Sequence, residues 1–186
     1  MKTYRDLALF NRLERYNFFK LFISITFYCS VSASRIMGLY YDFVRGLERR
    51  NKGEWFVKVE GDNKQRKRHL HILFGKGFKK RQPIDLKQAV ENKLSELKLH
   101  GIDQKNSRAN DSYLDYLFYD DYPALPFADM DTDVRIYDSQ LGVRSYLALD
   151  DPLEDESLSG VGLDSVGRSN WKMSNRLKKK ILSVST

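Results

Sequence analysis

The runs Glu54-Trp55-Phe56-Val57-Lys58-Val59-Glu60 and His69-Leu70-His71-Ile72-Leu73-Phe74, separated by the polar stretch GDNKQRKR, restrict the fold of this chain more closely than any other feature. Both are rich in branched and aromatic residues and are bounded by turn-forming chemistry, the pattern of two strands in a hairpin. A strand sends alternate side chains to opposite faces, so His69 and His71 point one way while Leu70 and Ile72 point the other. If the hairpin closes across residues 61–68, Glu60 lies opposite His69, with Cβ atoms about 4.5–5.5 Å apart. The same registration sets Trp55, Val57 and Val59 on the face of Leu70 and Ile72 and leaves Glu60 with the histidines. Two imidazoles and a carboxylate gathered this way suit Mn²⁺, Mg²⁺ or a similar divalent ion, with coordination positions left open for water or substrate oxygens.

The rest of the chain supplies the elements that such a hairpin needs. Tyr4 to Tyr16 is charged and helical in pattern. Phe22-Ile23-Ser24-Ile25-Thr26-Phe27 intersperses bulky residues with hydroxyls, as a half-buried strand does, and the apolar stretch from Leu21 to Ala33 is too short to span a bilayer. Ser34 can cap a helix that runs to about Arg50, with Met37, Tyr40, Tyr41, Val44 and Leu47 at helical spacing and Asn51-Lys52-Gly53 as its stop. Past the basic stretch KGFKKR, Asp85 begins a helix with the stripe Leu86, Val90, Leu94 and Leu97, ending at His100-Gly101. Residues 102–131 break the pattern and read as an insertion. Asp133 to Tyr137 is a fourth strand, and Ser139 can cap a short helix through Tyr146 to about Leu149.

The order β-α-β-β-α-β-α predicts an α+β fold of the ferredoxin-like or RRM-like split β-α-β kind, with a central antiparallel sheet, helices on one face and a site on the other. Residues 1–150 are expected to form this domain. Residues 151–186 read as an acidic, Gly/Ser-rich linker followed by a basic, helical tail.

With 32 Lys and Arg against 25 Asp and Glu, the chain carries a formal charge of +7, which points to a polyanionic partner. Lys64, Arg66, Lys67 and Arg68 sit in the hairpin loop, and Lys76, Lys79, Lys80 and Arg81 follow the third strand. Together they are expected to form a basic rim that grips phosphates in a salt-sensitive way. A single cysteine, Cys29, excludes an internal disulfide framework and a thiolate cluster, which suits a reducing, cytoplasmic setting. No G-x-x-x-x-G-K-[ST] phosphate loop is present.

Three stretches of the chain resemble the HUH endonuclease superfamily, specifically the rolling-circle replication initiators of small plasmids and single-stranded DNA viruses. Phe22 to Phe27 is similar to that family's first motif. Val57-Lys58-Val59-Glu60 with His69-Leu70-His71-Ile72-Leu73 is similar to its metal-binding motif. Val134 to Asp138 followed by Gly142 to Leu147 is similar to its last strand and nucleophile helix.

The resemblance implies a metal-dependent endonuclease and strand transferase that nicks single-stranded DNA and stays joined to it as a 5′-phosphotyrosine. It makes Tyr146 the nucleophile, with Tyr137 in reserve, and Glu60, His69 and His71 the ligands of Mn²⁺ or Mg²⁺. It implies single-stranded DNA or an origin hairpin as substrate, a host helicase and polymerase as partners, and no membrane. Self-association through the tail is compatible with it. Single-tyrosine members usually carry Lys three residues after the tyrosine, where this chain has Leu149; Lys58, on the metal face, is the substitute that the sequence offers and is counted with the DNA-binding cations of the rim. Two alternatives follow: a catalytically weakened DNA-binding module, which Leu149 favours, and a transposase or relaxase with the same chemistry.

Overall fold

Leu21–Phe27 (β1) alternates residues that must be dry with residues that can be wet, and it becomes the strand around which the others assemble. Trp55–Glu60 (β2) and Arg68–Phe74 (β3) form the hairpin, β3 pairs with β1, and Met130–Ile136 (β4) pairs with the other side of β1, all antiparallel. A fifth strand, Trp171–Met173 (β5), adds to β2, so the sheet order is β4-β1-β3-β2-β5. The protein is α+β, and the order of its first four strands is compatible with a split β-α-β fold. The computed structural model describes residues 4–16, 18–28, 43–60, 68–107, 125–147 and 171–183.

One face of the sheet carries Leu21, Ile23, Ile25 and Phe27 of β1, Val57 and Val59 of β2, and Leu70, Ile72 and Phe74 of β3. Against it pack the helical residues 43–47, through Phe43, Val44 and Leu47, and the helix Pro83–Asn106 (α2), through Leu86, Val90 and Leu94. Several of these side chains are wholly shielded, and each contributes about 1.5–3 kcal/mol by leaving water. The helix α2 starts two residues before Asp85 because Pro83 fits a first helical turn, whose N–H groups have no partner anyway. It also passes through Gly101 instead of stopping there. Gly101 is buried and continues the inward stripe of Leu86, Val90, Leu94 and Leu97 at helical spacing, so it serves as a contact point and not as a cap. Of the stretch expected as an insertion, residues 102–106 therefore belong to α2 and Met130 and Asp131 to β4.

The expectation of helices on one face only is corrected. Tyr4–Tyr16 (α1), Gly142–Leu147 (α3) and Asn175–Ser183 (α4) pack on the opposite face, where Leu9, Leu13, Val143, Leu147, Leu177 and Ile181 enclose Phe22, Phe56 and Leu73. The physical reason is that this face begins with three apolar residues in register, one from each central strand, and only its far rows are polar.

Residues 171–183, expected as a basic tail, are likewise part of the domain. Trp171 and Met173 join the second core, and Leu177 and Ile181 supply the i,i+4 stripe that a run of lysines concealed. The expected cap Ser34, the residues Met37, Tyr40 and Tyr41, and Cys29 lie outside the described residues.

Candidate active site

The second face of the sheet changes character row by row. Nearest the helices, Arg135, Phe22, Leu73, Phe56 and Met173 face one another across the five strands. The next row is Asp133, Ser24, His71, Lys58 and Trp171, and the one after it Asp131, Thr26, His69 and Glu60. Period-two alternation thus turns a covered apolar floor into a partly open polar one within two residues of strand.

The hairpin register pairs Glu60 with His69 and Lys58 with His71, as the alternation predicts. The side chain of Glu60 lies outside the described part of the structure, as do the loop residues Lys64, Arg66 and Lys67 and the side chain of Arg68. Among the described residues no group of three or more His, Cys, Asp and Glu has the spacing of a metal site.

The two histidines are held in a defined way. Their rings are nearly parallel, 7° apart with centroids 6.2 Å apart, and His71 stacks on Phe22 at 5.6 Å. His69 Nδ1 lies 3.0 Å from Thr26 Oγ1. When Nδ1–H donates to that hydroxyl, the lone pair of Nε2 is left for another partner, the tautomer that a metal ligand needs. The ligand types suit a divalent cation, and in the Nδ1–H tautomer His69 is oriented to bind one, with Glu60 at the register position opposite His69.

Phe22 connects this pair to the tyrosines. Its ring lies 4.8 Å from that of Tyr146, which in turn lies 5.0 Å from Tyr137. Tyr146 is half-buried on α3, and its phenolic oxygen accepts a hydrogen bond from the Asp138 N–H at 2.9 Å. The short helix is fixed from outside itself: Val143 N–H donates to Glu14 Oε2 at 2.6 Å, so α1 supplies the acceptor that was expected from Ser139. Gly142 adopts φ +73°, and a Cβ there would meet the same Glu14 carboxylate. Tyr137 is buried; burial first, then the neighbouring Glu14, Tyr146 and Asp138, pushes its phenol well above the ordinary range. That makes it a poor nucleophile near neutral pH.

Two expectations about cations change. Lys58 shares the face of His71, but it is only 4% exposed and so lies within the sheet surface instead of on a rim. Lys76, Lys79, Lys80 and Arg81 follow the Phe74 end of β3, whereas His69 sits five residues along the strand, about 17 Å away. The cations that follow β3 thus lie at the end of that strand away from His69, and those of residues 64–68 lie outside the described side chains.

Arg135, not legible as a site residue from its neighbours in the chain, pairs in register with Phe22. Its guanidinium pairs with Asp133 at 2.6 Å, and its charge is favoured by that pair and by Tyr146. Thr26 and Glu14 were also missed. The hydroxyl of Thr26 was legible in the alternation of β1, but Glu14 acts across 129 residues of chain.

Compared with known proteins, the chain matches no family model, no curated protein and no solved structure. Among the described residues no helix is long and apolar enough to cross a membrane.

Proposed function

We propose that the protein is a metal-dependent, single-tyrosine endonuclease and strand transferase acting on single-stranded DNA, of the HUH type, in the initiation of rolling-circle replication. The observation that carries this reading is the ring contact series from His71 through Phe22 to Tyr146, which sets a phenol one side chain away from an oriented imidazole pair. His69, His71 and Glu60 would hold Mn²⁺ or Mg²⁺, and the bound cation supplies Lewis-acid polarisation of a phosphate oxygen.

The protein's own groups do the rest. Tyr146 Oη attacks phosphorus and releases its proton, the bond to the 3′ oxygen breaks, and that oxygen leaves as a hydroxyl after taking up a proton. Asp138 N–H, already aimed at the phenolic oxygen, supports negative charge on it. Arg135 is a better substitute than Lys58 for the cation missing at Leu149, because it is exposed, beside Tyr146, and able to pair with a phosphate. The alternative of a DNA-binding module without cleavage retains Leu149 in its favour, and the same experiment separates the two.

Incubating the full chain with a labelled single-stranded oligonucleotide library and Mn²⁺ is expected to yield protein joined to a 5′ phosphate. His71→Ala should abolish the adduct while leaving most salt-sensitive binding. Absence of any adduct with the wild-type chain across divalent metals would favour the binding module. Thr26→Val keeps the side-chain shape and removes the partner of His69 Nδ1. It should weaken Mn²⁺ binding about 10- to 100-fold by calorimetric titration; an unchanged titration would mean that the hydroxyl does not orient the ring.

A further inference from the structure

The end of the sheet away from the histidines is built from two segments, 45–54 and 75–82, stitched together through their backbones. Lys79 N–H donates to Leu47 O at 3.1 Å, Arg49 N–H to Gly77 O at 3.0 Å and Glu54 N–H to Lys76 O at 2.8 Å, with a further bridge between Glu48 and Phe78. Arg50 and Asn51 take left-handed φ values of 52° and 55°, which turn the first segment sharply. Gly77, at φ +89°, allows the close approach, since a Cβ there would stand 1.8 Å from Lys52 O.

Every exposed charge on these two segments is positive. Arg49, Arg50 and Lys52 project from the first, and Lys76, Lys80 and Arg81 from the second. The only acids on either segment, Glu48 and Glu54, are 9% and 0% exposed and turn inward, where Glu48 accepts from Trp55 Nε1 at 2.7 Å. A run of basic residues on a flexible loop is usually only a solvated loop. Here the backbone is cross-linked and the counter-charges have been removed from the surface, so the positive potential is fixed in place.

We infer that this end of the protein is a second nucleic-acid surface, one that holds the phosphate backbone of a duplex. Single-stranded binding relies on aromatic faces on which bases stack. Phe18 is the exposed aromatic among the described residues here, and one face of its ring is covered: the Lys76 ammonium lies 4.2 Å from its centroid and Tyr16 packs edge-on at 5.5 Å. What remains is positive charge carried on a cross-linked backbone, suited to phosphates and indifferent to sequence. This surface does not depend on the cleavage chemistry, and it extends the proposed function by giving the protein a hold on duplex flanking a single-stranded substrate.

The test is fluorescence anisotropy of a labelled random-sequence 20-bp DNA duplex with the full chain, titrated at several salt concentrations between 50 and 200 mM. The combined variant Arg50→Ala/Lys52→Ala/Lys80→Ala/Arg81→Ala changes only exposed side chains. It is expected to bind at least 10²-fold more weakly at the low-salt end, with the log–log salt slope shallower by about 3 to 4. The variant His69→Ala/His71→Ala should bind the duplex like wild type. Wild-type affinity and slope in the combined variant would overturn the inference, as would loss of binding to anionic phospholipid vesicles with duplex binding intact. A chain that forms no tyrosine adduct but loses duplex binding in the combined variant would refute the cleavage reading alone. The opposite pair of results would refute only this surface.

Discussion

Tyr146→Phe is expected to remove the protein–DNA adduct entirely, a loss of roughly 10³-fold or more, because it deletes the one atom through which the strand is joined. The substitution is mild in every other respect. The ring keeps its contacts with Phe22 and Tyr137, and the lost hydrogen bond from Asp138 N–H costs about 1 kcal/mol. A folded, DNA-binding and adduct-free variant is therefore the expected product, checked by gel shift and by denaturing electrophoresis of the labelled complex. Tyr137→Phe should retain the adduct, since burial and the nearby Glu14 already keep that phenol protonated. Persistence of the adduct in Tyr146→Phe, with its loss in Tyr137→Phe, would reverse the assignment.

The second large effect is on stability, at Glu54. This carboxylate is fully buried, accepts from the Tyr16 hydroxyl, and meets Arg176 Nε at 3.1 Å and Lys180 Nζ at 2.5 Å, so it joins α1, β2 and α4 at one point. Burial pushes the Glu54 carboxyl up, but the Lys180 ammonium, the Tyr16 phenol and the Lys76 backbone outweigh it and hold it below the usual carboxylate range. Glu54→Gln keeps the shape and removes the charge. It should cost about 3 kcal/mol, toward the low end for a broken buried pair because both cations remain about half exposed and can rehydrate.

For a chain of this size that corresponds to a fall of about 10 °C in the thermal midpoint. The sign with pH follows from the lowered pKa. The stabilisation is complete above the unfolded-state value, about 4.3, and is lost as pH falls through the lower folded-state value. Wild type and Glu54→Gln should therefore differ most near neutrality and converge in acid. A difference in midpoint that stays constant from pH 7 to pH 3 would exclude the ion cluster as its source.

The hairpin and its register were legible because a period of two admits one face assignment for so many apolar residues, and a slip by one would have exposed them all. The strand Phe22 to Phe27 was legible for the same reason. Position along the strand was not: the sequence reads the cations after Phe74 as neighbours of His69, and only the direction of β3 separates them. The helix α4 was hidden because Leu177 and Ile181 stand among lysines, and the apolar residues that cover them lie far away in sequence. Arg135 escaped notice since its proximity to Tyr146 arises from strand order, through β4 lying beside β1. Local alternation carried the metal-face geometry; contacts between distant segments carried the rest.

Glu54 meets its guanidinium partner 122 residues later in the chain. During synthesis, β2 is made long before Trp171–Met173 can pair with it or α4 can bring its cations. Until then the carboxylate must stay hydrated and the outer edge of β2 stands open, so the second core closes only after β5 and α4 have left the ribosome. In that interval the edge is exposed to unwanted pairing.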